Sequence, residues 1–214
     1  MAGGKLPPRQ KMIGMMYLVL TALLAMNMSK EVLNTFVTVN DGLENTNHNF
    51  KTKNADAYKE FSESFAENPT KTGPFYNKAQ EIKEIAEQVV KYIDGIKVEI
   101  IAGIEPTITK DNAIGVNELG EDTIVNLKYV QVKDNYAFST NLLVGGDPVN
   151  PKTGPLSALE LKSKLEEFRE KAKTLVKKDG AIYKALDETF IFEESNNAAG
   201  VTENWPSYNF HGVP

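Results

Sequence analysis

The side chains able to do chemistry in this sequence are few. It has two histidines, His48 and His211, far apart, and no cysteine. Without a thiol there is no cysteine nucleophile, no thiolate zinc site and no disulfide framework. A serine nucleophile needs a base, and neither histidine stands in a pattern that supplies one. The spacing puts His48 on the polar side of a helix, as a solvated residue. Gly145-Gly146-Asp147 lacks the lysine of a phosphate-binding loop. There is no H-E-x-x-H pair and no Asp-rich calcium loop. No catalytic residue, metal or cofactor is expected, and an enzyme is not the expected class.

What remains are polar groups at the edge of, or inside, an apolar stretch. Arg9 lies about one helical turn before Ile13. The plainer reading is that it marks a membrane edge together with Lys5 and Lys11. The functional reading is that its guanidinium meets a carboxylate on a neighbouring helix, a strong contact where water is scarce. Tyr17 sits well inside the stretch, and a buried phenol needs a hydrogen-bond partner; its plainer reading is interfacial packing. Eight positions separate Arg9 from Tyr17, about 80° around a helix and about 12 Å along it. No Asp or Glu precedes Glu31. Any titrating carboxylate in a proton path must therefore come from another chain. Arginine keeps its proton, so Arg9 senses such a carboxylate but does not relay its proton.

The element that must position these residues is residues 12–29, which hold no formal charge. At about 1.5 Å per residue they span roughly 27 Å, close to the hydrocarbon thickness of a bilayer. Lys11 and Lys30 bracket them, and lysine stems snorkel to headgroups. Residues 1–11 carry Lys5, Arg9 and Lys11 and no acid, whereas Glu31, Asp41 and Glu44 follow the span. The positive-inside rule predicts residues 1–11 in the cytoplasm, a transmembrane helix at 12–29 and residues 30–214 outside. A cleaved signal peptide is the rival, with cleavage after Ala25, but the apolar run continues to Met28. The chain as a whole carries a net charge of −5, which argues against nucleic acid as a partner.

Beyond the span, Val32, Phe36, Val39, Leu43 and Phe50 recur at heptad-like spacing. No Pro or Gly intervenes before Gly42, so the membrane helix is predicted to run on into a stalk. The stripe, with Phe36 and Leu43 at its centre, needs a partner: the same helix of a second copy, or another helix of this domain. A short helix is predicted over 54–66, with Tyr58, Phe61 and Phe65 on one face, ended by Asn68-Pro69. Pro74 is predicted to open a long helix with Phe75, Ala79, Ile82, Ala86, Val89, Ile93, Ile96 and Ile100 in the core. Residues 107–146, which include Gly115 and Gly120, are ambiguous, and 125–132 reads as a strand or a short helix. Ser157 and Glu160 form a capping box before Leu161, Leu165, Phe168, Ala172 and Leu175. Asp179-Gly180 stops that helix, and another follows from 181 to about 193. The tail from 196 reads as loop, anchored by Trp205-Pro206 and Phe210. The fold expected is mainly α: one N-terminal transmembrane helix continuing into a helical bundle. The abrupt Val213-Pro214 end suggests that a longer protein continues.

The opening residues resemble a known family. Gly3-Gly4-Lys5-Leu6, Pro8-Arg9-Gln10-Lys11-Met12-Ile13, Met16-Tyr17-Leu18-Val19 and Ala25-Met26-Asn27-Met28-Ser29-Lys30-Glu31-Val32-Leu33 are, taken together, similar to the N-terminus of the GldM/PorM family. The resemblance implies an inner-membrane subunit of the type IX secretion and gliding machinery of Bacteroidota. It implies a GldL-like membrane partner whose intramembrane glutamate meets Arg9, a homodimer, and proton-driven rotation. Further, mainly β, periplasmic domains would carry motion to a GldK/GldN-like ring. Two other classes fit an anchor followed by a helical bundle: a chemoreceptor-like sensing domain, which needs a second membrane helix, and a passive scaffold.

Overall fold

The computed structural model describes residues 7–116 and 122–213; of residues 24–30, 116 and 122 the backbone alone is described. Lys5 and Gly120 lie outside the described residues. The described chain is mainly helical, and it divides into two compact units at residues 49 and 50.

The first helix, α1, runs unbroken from Pro8 to Glu67. Pro8 suits its first position because the missing N–H is one that has no partner there anyway. The carbonyl of Pro7 receives the N–H groups of Gln10 (2.9 Å) and Lys11 (3.1 Å). The separate helix expected over 54–66 is the end of α1. Nothing between Leu43 and Asn54 breaks a helix, so backbone hydrogen bonding runs on and Phe61 falls on the same side of α1 as Leu43.

In the second unit, α2 runs from Pro69 to Ile104, five residues earlier than expected. Asn68-Pro69 both ends one helix and starts the next. Proline disfavours helical geometry at the residue before it, and Asn68 caps the new helix by accepting from the Lys71 N–H at 3.2 Å. Pro74 falls in the second turn, where it costs one backbone hydrogen bond. The α1–α2 hairpin is closed by aromatic packing: Tyr76 stacks on Phe65 at 4.7 Å and meets Phe61 edge-on at 5.5 Å. The Tyr58 hydroxyl donates to the Ala79 carbonyl at 3.0 Å. Phe75, expected in the core, is exposed instead; Tyr76 takes the packing position.

Residues 107–146 resolve into short pieces. Strands β1 (Ile114–Val116) and β2 (Asp122–Ile124) form an antiparallel ladder, a 3₁₀ turn covers Leu127–Tyr129, and α3 spans Tyr136–Leu143. The carboxylate of Glu105, at the end of α2, fixes this region. It is 3% exposed and accepts from the Gln131 N–H at 2.7 Å and the Thr107 hydroxyl at 3.0 Å. Ile101, Ala113 and Val130 pack beside it as one small core. Gly103 lets the ring of α3's Phe138 reach the α2 backbone: a Cβ there would stand 2.0 Å from that ring.

The main core lies between α2 and α4 (Ala158–Leu175), with Ile96, Leu143, Val144, Ala158 and Leu161 buried in it. Ser157 caps α4 by accepting from the Glu160 N–H at 3.2 Å. The reciprocal half of the expected box is shifted by one residue, since the Glu160 carboxylate receives the Leu156 N–H at 3.1 Å. The residue after α4 that turns left-handed is Asp179, with φ of 60°, rather than Gly180. Gly180 makes a close approach: a Cβ there would lie 3.0 Å from the Lys177 carbonyl. Helix α5 spans Ala181–Thr189 and stops four residues short of the expected end. The tail is not loop but a hairpin of β3 (Ser195–Asn196) and β4 (Thr202–Glu203), then α6 (Trp205–Phe210). Asn204 caps α6 through the Ser207 N–H (3.0 Å), and its amide donates to the Pro148 carbonyl (2.9 Å). Trp205 meets Phe210 at 5.4 Å and both pack on the main core, as expected of anchors.

Candidate functional site

The candidate site lies on the N-terminal part of α1. Arg9 and Lys11 occupy its first turn, and no acid accompanies them. The helix macrodipole makes this the positive end, so a cation here is unfavourable by a few tenths of a kcal/mol and an anion is favoured. The placement does nothing for the helix itself. It concentrates positive charge at one spot, where an approaching carboxylate meets both the guanidinium and the dipole. Arg9 makes no ion pair among the described residues.

Tyr17 is two-thirds exposed, and its carbonyl accepts from the Thr21 hydroxyl one turn on. Thr21 is thereby satisfied within the helix. Around Tyr17, Met12, Ile13, Met15, Met16, Leu18, Val19, Leu20 and Leu23 are all at least half exposed. Apolar side chains thus point outward all round this part of the helix. Among the described residues, no helix is long and apolar enough to cross a membrane. The span expected at 12–29 extends into residues 24–30, whose side chains lie outside the described set.

Farther along α1, Val32, Phe36, Val39, Leu43 and Phe50 are each more than half exposed. At 100° per residue the five fall within an arc of about 60°, so they form one narrow stripe. Thr35, Thr38 and Thr46 turn their hydroxyls back onto carbonyls four residues earlier. Their polarity is spent on their own helix. The stripe brings Phe36 and Leu43 onto one face, as expected, whereas Arg9 and Tyr17 lie at separate angles and are not brought together.

Two polar clusters in the second unit carry no sequence motif. Tyr92 of α2 donates to the Glu160 carboxylate at 2.8 Å, while its oxygen accepts from the Leu156 N–H at 3.1 Å. Burial, reinforced by that carboxylate, pushes the Tyr92 phenol well above its ordinary range. The second cluster is Glu105. The N–H of Gln131, with the Thr107 hydroxyl, holds its carboxyl below the usual glutamate value despite burial. A pair of contacts sixty-odd residues apart leaves no spacing to read. Among the described residues no group of three His, Asp or Glu side chains is placed to hold a metal ion.

Residues 31–214 match the family model described as the GldM N-terminal domain. No curated protein matches the chain.

Proposed function

The chain belongs to the GldM family, whose members are structural components of gliding and type IX secretion machinery rather than enzymes, and from that premise we propose that it is one half of an inner-membrane motor. Residues 12–29 form its single transmembrane helix, with residues 1–11 in the cytoplasm and the rest in the periplasm. A GldL-like partner supplies the intramembrane carboxylate that this chain lacks, and proton-motive force drives movement between the two. The observation that carries the reading is Arg9. It stands in the first turn of a helix whose dipole disfavours it, ahead of a stretch that is apolar all round, in a sequence with no acid before Glu31. Tyr17, within the apolar stretch, supplies a second polar contact on a different face.

The stripe through Phe36 and Leu43 pairs with the same stripe of a second copy, which makes the working unit a homodimer. Residues 50–214 are the first part of the periplasmic output, which further domains would extend to a GldK/GldN-like ring. Arg9→Ala leaves folding and membrane insertion intact and stops both secretion and gliding. Normal type IX secretion in that mutant removes Arg9 from the mechanism. Copurification with a small membrane partner bearing an intramembrane Glu separates the motor from a receptor or a passive scaffold. Because the chain has no cysteine, cysteines placed at 36 and 43 report cleanly on dimer contact.

A further inference from the structure

Between α5 and β3, residues 190–194 read Phe-Ile-Phe-Glu-Glu and adopt neither helix nor turn. Their environment alternates with a period of two. Phe190 and Phe192 are half-buried in a chain of aromatic rings that links Phe168 to Trp205; Ile191 and Glu193 are exposed. The carbonyls alternate as well. Phe190 accepts from the Arg169 guanidinium at 2.9 Å and Phe192 from the Lys162 ammonium at 3.2 Å. Over residues 190–193 both alternations match the two-residue period of a strand, with Phe190 itself, at ψ 72°, still turning out of α5. Helix α4 supplies one of its edges with two cationic side chains in place of a neighbouring strand. The N–H groups of Ile191 and Glu193 then belong to the opposite edge, and among the described residues nothing accepts from them. An open strand edge is a template for another chain.

An open cavity of about 330 Å³ borders this segment. Its lining includes Glu166, Asp187 and Glu193 and one cation, Arg169; Asp187 pairs with Lys173 and Glu166 lies 3.9 Å from Lys162, so Glu193 is the acid of the lining left without a cation among the described residues. That guanidinium is already engaged by Phe190 and by Glu170 at 3.0 Å. Glu193 and its neighbour Glu194 pair with no cation among the described residues. The edge is therefore both hydrogen-bond-ready and negative. A second copy of the same strand brings two more carboxylates and no cation, so charge disfavours self-pairing.

We propose that residues 190–194 are a docking edge to which an extended, basic segment of another polypeptide adds as a strand, placing a lysine or arginine side chain beside the unpaired carboxylates of Glu193 and Glu194. Main-chain bonds to Ile191 and Glu193 supply affinity, and the carboxylates select the sign of the partner. The surface lies in the second unit and does not depend on the motor reading.

The test uses the full chain in a non-ionic detergent and three blocked hexapeptides: alternating lysine and valine, alternating glutamate and valine, and the lysine peptide with alternate backbone nitrogens methylated. The lysine peptide should bind at least about tenfold tighter than either other peptide, a difference of about 1.4 kcal/mol. It should slow hydrogen exchange at the Ile191 and Glu193 amides. Glu193→Lys should weaken it by a similar factor while leaving Trp205 fluorescence unchanged. Equal binding of the methylated peptide, or binding without slowed exchange at those two amides, reduces the effect to surface charge and overturns the proposal. No binding overturns it too, as does slowed exchange that grows with protein concentration in the absence of peptide, which assigns the edge to a second copy.

Discussion

Residues 7–49 and residues 50–213 dispose of their apolar side chains in opposite ways. In the second unit Leu143, Val144, Leu161 and Ile96 are enclosed, and even the carboxylate of Glu105 is buried with its hydrogen bonds made. In the first, Leu18, Leu20, Phe36 and Leu43 all stand more than half exposed along a single helix. Burial of one such side chain is worth roughly 1.5–3 kcal/mol. The second unit collects that stabilisation within its own chain. The first does not collect it within the described residues.

The largest effects test this division directly. Leu161→Ala removes a side chain from the main core and should cost about 2–5 kcal/mol of unfolding free energy. Trp205, the only tryptophan, packs on that core and reports the transition by fluorescence in denaturant. Phe36→Ala removes more surface, yet should shift the same transition by no more than about 0.5 kcal/mol. Its effect should appear instead as lost crosslinking between copies. If Phe36→Ala lowers the Trp205 transition as far as Leu161→Ala does, the stripe is covered by its own chain and the contrast fails.

Hydroxyl groups give a smaller version of the same contrast. Ser157 is fully buried and supplies the first turn of α4 with an acceptor that nothing else replaces. Ser157→Ala should cost about 1 kcal/mol, within 0.5–2. Thr35 and Thr38 bond only to carbonyls of α1 that already have helical partners. Replacing either with Ala removes a competing bond and installs the best helix former, so helicity of α1 should hold or rise slightly. Circular dichroism and the Trp205 transition separate the two results.

The parts of this chain that were readable in its sequence are those with long periods. The four-three spacing of α2 and α4, the Ser157 cap and the exposed stripe through Phe36 and Leu43 each repeat a local signal over several turns. Tyr17 stood out because its neighbours are apolar and uncharged, and Arg9 because basic residues and no acid precede Glu31. What escaped is short or held from a distance. Pro69 and Pro74 are both competent to start a helix, and only the Asn68 cap decides between them. Tyr183, Leu186 and Phe190 keep helical spacing, so the end of α5 at Thr189 was hidden inside a helix pattern. The tail's hairpin and α6 depend on Asn204 reaching Pro148, 56 positions away. No local rule encodes that contact, nor the one between Tyr92 and Glu160.

The smallest expected effect concerns charge, and it sharpens the contrast by asking whether the second unit has accommodated its polar groups as fully as its apolar ones. Glu105 is buried, and burial alone would raise its pKa. The Gln131 N–H and the Thr107 hydroxyl lower it instead. A carboxyl whose folded pKa lies below its unfolded value binds protons more readily when unfolded. Its contribution is therefore present above the unfolded value of about 4.3 and is lost as pH falls through the folded one. Glu105→Gln keeps the shape and removes the charge. Its stability deficit relative to wild type should be constant near neutral pH and shrink steadily as pH falls below about 4.3. A deficit that stays unchanged through the acid range would mean that the anion is not what these donors hold. The loop at 125–132 would then be fixed to α2 by shape, through Ile101 and Val130, and not by the buried carboxylate.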